Sequence, residues 1–373
     1  MMVHVLSPQA FERDIDGRRT RLYTLRGAGG LQVVVSNHGA RLVQVAVPDA
    51  NGQLADVALG YENLDGYLRG QQSMGAIIGR WAGRLRGGRL TLPDGSPLQL
   101  PTNSGLHHHH GGPRGSRFQV FSVDDVQADA MTLHHVFRTE DDGVPGEVRV
   151  AVHLAVTADN ALHIGWNAEA ADAPTLVNIT GHAFFNLAGV GSTHDHMLQV
   201  PASRYVPLAA DVCPVGVLES VNGTPFDFRA PRRVGDAVAA QHEQLVRAGG
   251  LDHYLVLDGH DSPTPGAPTC STVSAEGLRM AALLSDPFSG RSMEVWTTTP
   301  GVQVYAGHGL KADPARDLGR GPGGSDWLWK PGDGICLEPM EFPDAPNHKG
   351  FPVRWMAPGE RAVGAIVYRF LND

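Results

Sequence analysis

The chain has 373 residues, 42% hydrophobic and 18% charged, with a formal charge of −9 and no basic stripe, a balance that argues against a nucleic-acid partner. No stretch approaches the ~18 consecutive apolar residues of a membrane span. Glu12, Arg13 and Asp14 stand where a secretion signal needs an apolar core. Cys213, Cys270 and Cys336 are odd in number and lack a C-x-x-C pair, so neither a disulfide framework nor a thiolate metal site is expected, and the cytoplasm is the expected compartment.

Taken in chain order, period-2 alternation predicts strands at 31–35, 41–47, 118–123 and 131–138. Val148, Val150, Val152, Leu154 and Val156 then share one face, Ala158-Asp159-Asn160 turns the chain, and Leu162, Ile164, Trp166 and Ala168 resume the apolar side. Residues 148–169 therefore read as a hairpin. Helical periodicity is scarce: 236–248 is the best candidate, stopped by Gly249-Gly250. Strand patterns return at 254–257, 278–284, 293–298, 302–306 and 363–370, interrupted by a Gly-rich loop within 311–326 that precedes Trp327-Leu328-Trp329. With 46 glycines and 26 prolines scattered evenly, many short strands joined by turns are expected. So many strands exceed one flat sheet. The expected fold is all-β, a large antiparallel β-sandwich with one or two short helices, forming a single domain over 1–373.

Six segments carry chemistry. Gly75–Leu85 flanks Arg80 and Arg84 with glycines, suited either to guanidinium groups aimed at hydroxyl oxygens or to a plain structural loop. Asn103–Gly112 holds four consecutive histidines, His107 to His110. The run is internal, unlike an expression tag, and neighbours in an extended segment face opposite ways, so at most two converge and no metal site is expected. Asn178-Ile179-Thr180-Gly181-His182 sets a histidine after a strand-like run. Asp252, just before a strand, either caps a turn or reaches a ligand. Gln303 and Tyr305 share one strand face, where a buried amide must find polar partners. Ile335-Cys336-Leu337-Glu338-Pro339 brings a carboxylate out of an apolar run into a loop held by Pro339, Pro343 and Pro346. A rigidly held His and Glu at strand mouths suit proton transfer.

In this order along the chain, from Asn37-His38-Gly39-Ala40 to Tyr368-Arg369-Phe370, the sequence resembles the aldose 1-epimerases (galactose mutarotases). The resemblance implies a galactose mutarotase-like supersandwich with a sugar cleft on a concave face, and interconversion of aldose anomers without metal or cofactor. It assigns Glu338 as catalytic base and His182 as catalytic acid, with Arg84, His110, Asp252 and Gln303 holding the sugar. A small-molecule sugar is the expected partner, without nucleic acid or membrane, as a monomer or homodimer. The chain departs from the family where Gly83 replaces a common Asn, His109 a Leu, and Pro339-Met340 a Thr-Gln pair, which leaves the preferred sugar open. Three alternatives remain: an epimerase of a modified aldose such as a sugar phosphate, with Arg80, Arg84 and Arg114 as basic candidates; a carbohydrate-binding protein without turnover; and a zinc hydrolase built on the histidine run. Trp327 and Trp329 are expected to stack on the sugar or cover the cleft.

Overall fold

Alternating burial sorts this chain into facing sheets, and the hairpin of Val148–Val156 and Ala161–Ala170 shows how. Val148, Val150, Val152 and Leu154 are buried while Arg149 is exposed, and Val152 lies opposite Trp166 in the antiparallel register. The computed structural model describes residues 3–70, 72–259, 266–274, 276–321 and 324–372. The hairpin sits in a nine-stranded sheet that runs from Ser122–Asp124 through Ala130–Phe137, the hairpin, Arg361–Asn372, Arg291–Thr297, Arg279–Ser285 and Met197–Gln199 to Arg232–Arg233. A six-stranded sheet runs in the order Phe184–Phe185, Ile335–Met340, Gly301–Tyr305, Asp252–Val256, Arg204–Val206 and Glu219–Ser220. A four-stranded sheet spans Leu22–Arg26 to Leu54–Asp56. Every ladder in these sheets is antiparallel.

The two larger sheets face each other across one core. Leu255, Val302, Val304, Ile335 and Leu337 of the six-stranded sheet bury against a cluster that includes Leu162, Ile164, Val295 and Ile366. Truncating one of these leucines to alanine would cost ~2–5 kcal/mol. Because side chains alternate, burying Ile335 and Leu337 in this core turns Cys336, Glu338 and Met340 to the opposite face. That face is the floor of the cleft described below.

The expected strands form, with one shortening: within 118–123 the chain makes a 3-10 turn at Ser116–Phe118 and becomes a strand only at Ser122–Asp124. The expected helix at 236–248 is divided into Val234–Val238 and Glu243–Ala248, because the His242 ring caps a new start by accepting from the Gln244 N–H. Two further short helices, Leu64–Arg69 and Thr139–Asp142, complete the α-helices among the described residues. The segment read as a Gly-rich loop is a hairpin of Leu318–Gly321 and Gly324–Leu328, with Pro322 and Gly323 outside the described residues. Among the described residues no helix is long and apolar enough to cross a membrane.

Candidate active site

Three neighbouring strands of the six-stranded sheet bring their polar side chains to one place. Gln303 lies directly opposite Glu338, and Asp252 opposite Tyr305. The Gln303 amide donates to Asp252 Oδ1 at 2.6 Å. These residues line a cleft of about 690 Å³ together with Arg84, His109, His110, Arg117 and His182. All six sequence-expected site residues (Arg84, His110, His182, Asp252, Gln303 and Glu338) therefore meet in one concavity.

His182 reaches it from a different segment. It sits between Thr180–Gly181 and Phe184–Phe185, which pair with Ile77–Ile78 and with the Glu338 strand respectively. Its backbone is pinned on both sides: the His182 N–H donates to the Ala76 carbonyl, and the Gly75 N–H to the His182 carbonyl, each at 2.9 Å. Gly75 has φ 72°, and a Cβ there would lie 2.0 Å from the Leu42 carbonyl oxygen, so only glycine lets the two chains approach so closely. The ring Nε2 then stands 3.6 Å from Glu338 Oε1, while Nδ1 lies 3.6 Å from the buried Cys336 thiol.

The histidine run is distributed by backbone geometry, not by simple alternation. His109 and His110 both reach the cleft because His110 has φ 51°, which turns the second ring back to the first, 3.8 Å between centroids. The His110 ring meets His182 edge-on at 5.2 Å and accepts the Gly83 N–H on Nδ1. Gly83 has φ 81°, a left-handed region that glycine enters without strain. His108 is wholly buried, its Nδ1 2.9 Å from the Pro101 carbonyl oxygen.

Burial dominates the electrostatics. It pushes the Glu338 carboxyl well above the usual carboxylate range; Asp252 adds to that, and Arg84 opposes it. It lowers the His182 imidazole to about 4. Both groups are therefore favoured in their neutral forms, with one proton between them, on Glu338. Glu338 Oε2 is buried without a hydrogen-bond partner among the described residues, an acceptor left open to a bound molecule. Donor atoms of His110, His182 and Glu338 lie within 4.8 Å of one another, so a divalent cation would find ligands in the same place.

Several expectations are corrected. Trp329 is buried and donates its indole N–H to the Gly60 carbonyl at 3.1 Å, with Trp327 packed beside it; neither belongs to the cleft wall. Of the three arginines considered for a phosphate, only Arg84 lines the cleft. Arg80 is fully buried in a bidentate pair with Asp142, and Arg114 bonds Asp141. Sequence reasoning passed over Arg117, which lines the cleft and donates to Ser73 Oγ at 2.7 Å, and His308, which packs edge-on to Tyr305. Arg117 lies next to the Gly-rich turn after the histidine run, and that proximity was the available signal.

The sequence profile described as Aldose 1-epimerase matches residues 21–369. The chain belongs to the aldose 1-epimerase family, and with it to the isomerases. It is 33% identical to galactose mutarotase of Bos taurus over 342 residues, covering 91% of each chain. It is 31% identical to aldose 1-epimerase of Escherichia coli (strain K12) over 365 residues, covering 96% of this chain and 97% of the relative. Among solved structures, an aldose epimerase homologue from C. elegans superposes with a TM-score of 0.81 at 26% identity, covering 95% and 99% of the two chains. Galactose 1-epimerase from Lactobacillus acidophilus gives 0.79 at 26% identity, covering 96% and 97%. The β-sandwich is thus the galactose mutarotase-like fold of this family.

Proposed function

We propose that this protein interconverts the α and β anomers of a free aldohexose such as galactose or glucose, with Glu338 as base and His182 as acid. One observation carries the reading: Glu338 Oε1 and His182 Nε2 stand 3.6 Å apart in the cleft, with Glu338 Oε2 buried and without a hydrogen-bond partner among the described residues. Opening the ring requires the C1 hydroxyl to lose a proton and the ring oxygen to gain one, as the C1–O bond breaks and the aldehyde forms. Ionised Glu338 takes the first proton and the His182 imidazolium supplies the second. Rotation about C1–C2 and the reverse transfers give the other anomer.

The proton count of the pair is the same before and after opening. The opening form carries its proton on His182, and the closing form carries it on Glu338, the distribution burial favours. Arg84 next to Glu338 favours the ionised carboxylate and so keeps the opening form within reach. Arg84, His110, Asp252 and Gln303 orient the hydroxyls, and Gln303 holds Asp252 in place through its 2.6 Å bond. Cys213 and Cys336 are buried and unbridged, which suits a reducing, cytoplasmic setting.

Polarimetry of freshly dissolved α-D-galactose and α-D-glucose tests the proposal. The protein should speed the approach to equilibrium rotation for at least one of them, and the ratio of the rates defines the preference. No acceleration of either sugar over buffer would sink the free-aldose reading and leave a modified aldose as the substrate to try.

A further inference from the structure

Proton transfer in the cleft leaves His107 without a role. It is buried, stands outside the cleft wall, and its Nδ1 lies 3.4 Å from the sulfur of Cys213, a wholly buried residue 106 positions further on. Asp211 joins them, so that one donor atom from each of the three lies within 4.8 Å of the others. Between Asp211 and Cys213 the chain turns at Val212, held at φ 56°, a conformation β-branched residues rarely adopt.

We propose that His107, Asp211 and Cys213 form a site for a zinc-class divalent cation, distinct from the sugar cleft. An imidazole, a thiolate and a carboxylate make the borderline-soft donor set that Zn2+ accepts and that Mg2+ and Ca2+ do not favour. Tetrahedral Zn–N and Zn–S bonds place the two donor atoms about 3.5 Å apart, close to the observed 3.4 Å. Three protein ligands would leave the fourth position to water, as in open zinc sites, and Asp211 is exposed to solvent.

Charge of both signs lies near the sulfur: Asp344 and Asp211 favour a cation there, and Arg86 and Arg84 oppose it. Burial raises the Cys213 thiol to about 12. On binding, the S–H bond breaks, the metal–sulfur bond forms, and the proton passes to solvent. The metal displaces the Gly87 N–H, which donates to His107 Nδ1 at 3.1 Å, and shares Asp211 with Arg86, whose guanidinium bonds Oδ2 at 2.7 Å. These competitors make it a moderate-affinity site. Filled, it ties the turn that carries Val212 and Pro214, both in the cleft wall, to the segment that carries His109 and His110 and pairs with the Arg84 strand.

The test is a Co2+ titration of the full chain after chelator treatment, read by absorption, with Zn2+ calorimetry in parallel. One thiolate-bound Co2+ per chain should give near-ultraviolet thiolate-to-cobalt charge transfer. Cys213→Ser should abolish that band, and His107→Gln should weaken binding at least tenfold. Glu338→Gln should keep the band, because the donor set of His110, His182 and Glu338 contains no thiol. Zn2+ should raise the melting temperature of wild type by more than that of Cys213→Ser, each compared with its own metal-free melt, a readout that holds if either variant is less stable. Absence of the band, or its survival in Cys213→Ser, overturns the proposal. None of these readings depends on anomer conversion.

Discussion

Replacing Glu338 by glutamine tests the acid–base assignment with little disturbance to the fold. The side chain keeps its shape. Its Oε2 has no hydrogen-bond partner among the described residues, and Oε1 is 3.6 Å from His182 Nε2, beyond hydrogen-bond reach, so the exchange breaks no bond among them. Burial already favours the uncharged carboxyl, so a neutral amide is no harder to bury and no loss of thermal stability is expected. What disappears is the ability to take the C1 proton. A positioned proton transfer contributes ~10²–10⁴-fold, equivalent to ~3–5 kcal/mol of barrier. Arg84, His110, Asp252 and Gln303 are untouched, so the loss should fall on kcat with KM within a few-fold. Polarimetry over a range of sugar concentrations, corrected for spontaneous mutarotation, separates the two, and thermal melting checks the fold. A folded variant that keeps kcat within tenfold of wild type, or loses activity through KM alone, would refute the assignment.

The pH profile of kcat/KM should be a bell whose active form holds one proton on the Glu338–His182 pair, with an acid limb near 4 and an alkaline limb above the ordinary carboxylate range. An acid limb above pH 6 would contradict the burial-lowered histidine. Arg80→Met should cost ~3–5 kcal/mol, measured as a lower urea midpoint, because it strips a fully buried bidentate partner from Asp142; a loss under 1 kcal/mol would show the pair to be dispensable. His135 packs between Phe121 and Phe137, and burial, with lesser contributions from nearby arginines, lowers it to about 3 against 6.5 unfolded. Its contribution is fully present above 6.5 and is lost as pH falls towards 3, at ~1.4 kcal/mol per pH unit. His135→Leu should accordingly flatten the dependence of stability on pH between 6 and 4 by about one proton, and an unchanged slope would count against the buried neutral state.

Much of the fold was legible because strand periodicity is local. The alternation at 148–169 predicts both strands and the buried face, and the structure pairs them as read. The periodicity at 236–248 reads as one continuous helix, and nothing in it reveals that the His242 ring caps a new start. The segment at 311–326 reads as a loop because its glycines carry no pattern, yet tertiary contacts make it a hairpin. There Arg320 bonds Asp56 and the Val43 carbonyl of the four-stranded sheet. Trp327 and Trp329 were placed at the sugar on adjacency to that loop, and adjacency does not fix which way a face points.

The sequence by itself determined which side chains share a strand face: Cys336, Glu338 and Met340 on one side, Ile335 and Leu337 on the other, and Gln303 with Tyr305. Two-residue periodicity is a property of the extended backbone and needs no partner. Only the tertiary structure decided which faces meet. It set Gln303 against Glu338 and within 2.6 Å of Asp252, 51 residues away, and it carried His182 to Glu338 across 156. It also separated Arg80 from Arg84, sending one to a buried carboxylate and the other to the cleft, and it divided four consecutive histidines among the cleft, the interior and Cys213. Such choices rest on sheet order and on single backbone torsions such as that of His110, which are settled when distant surfaces are buried together.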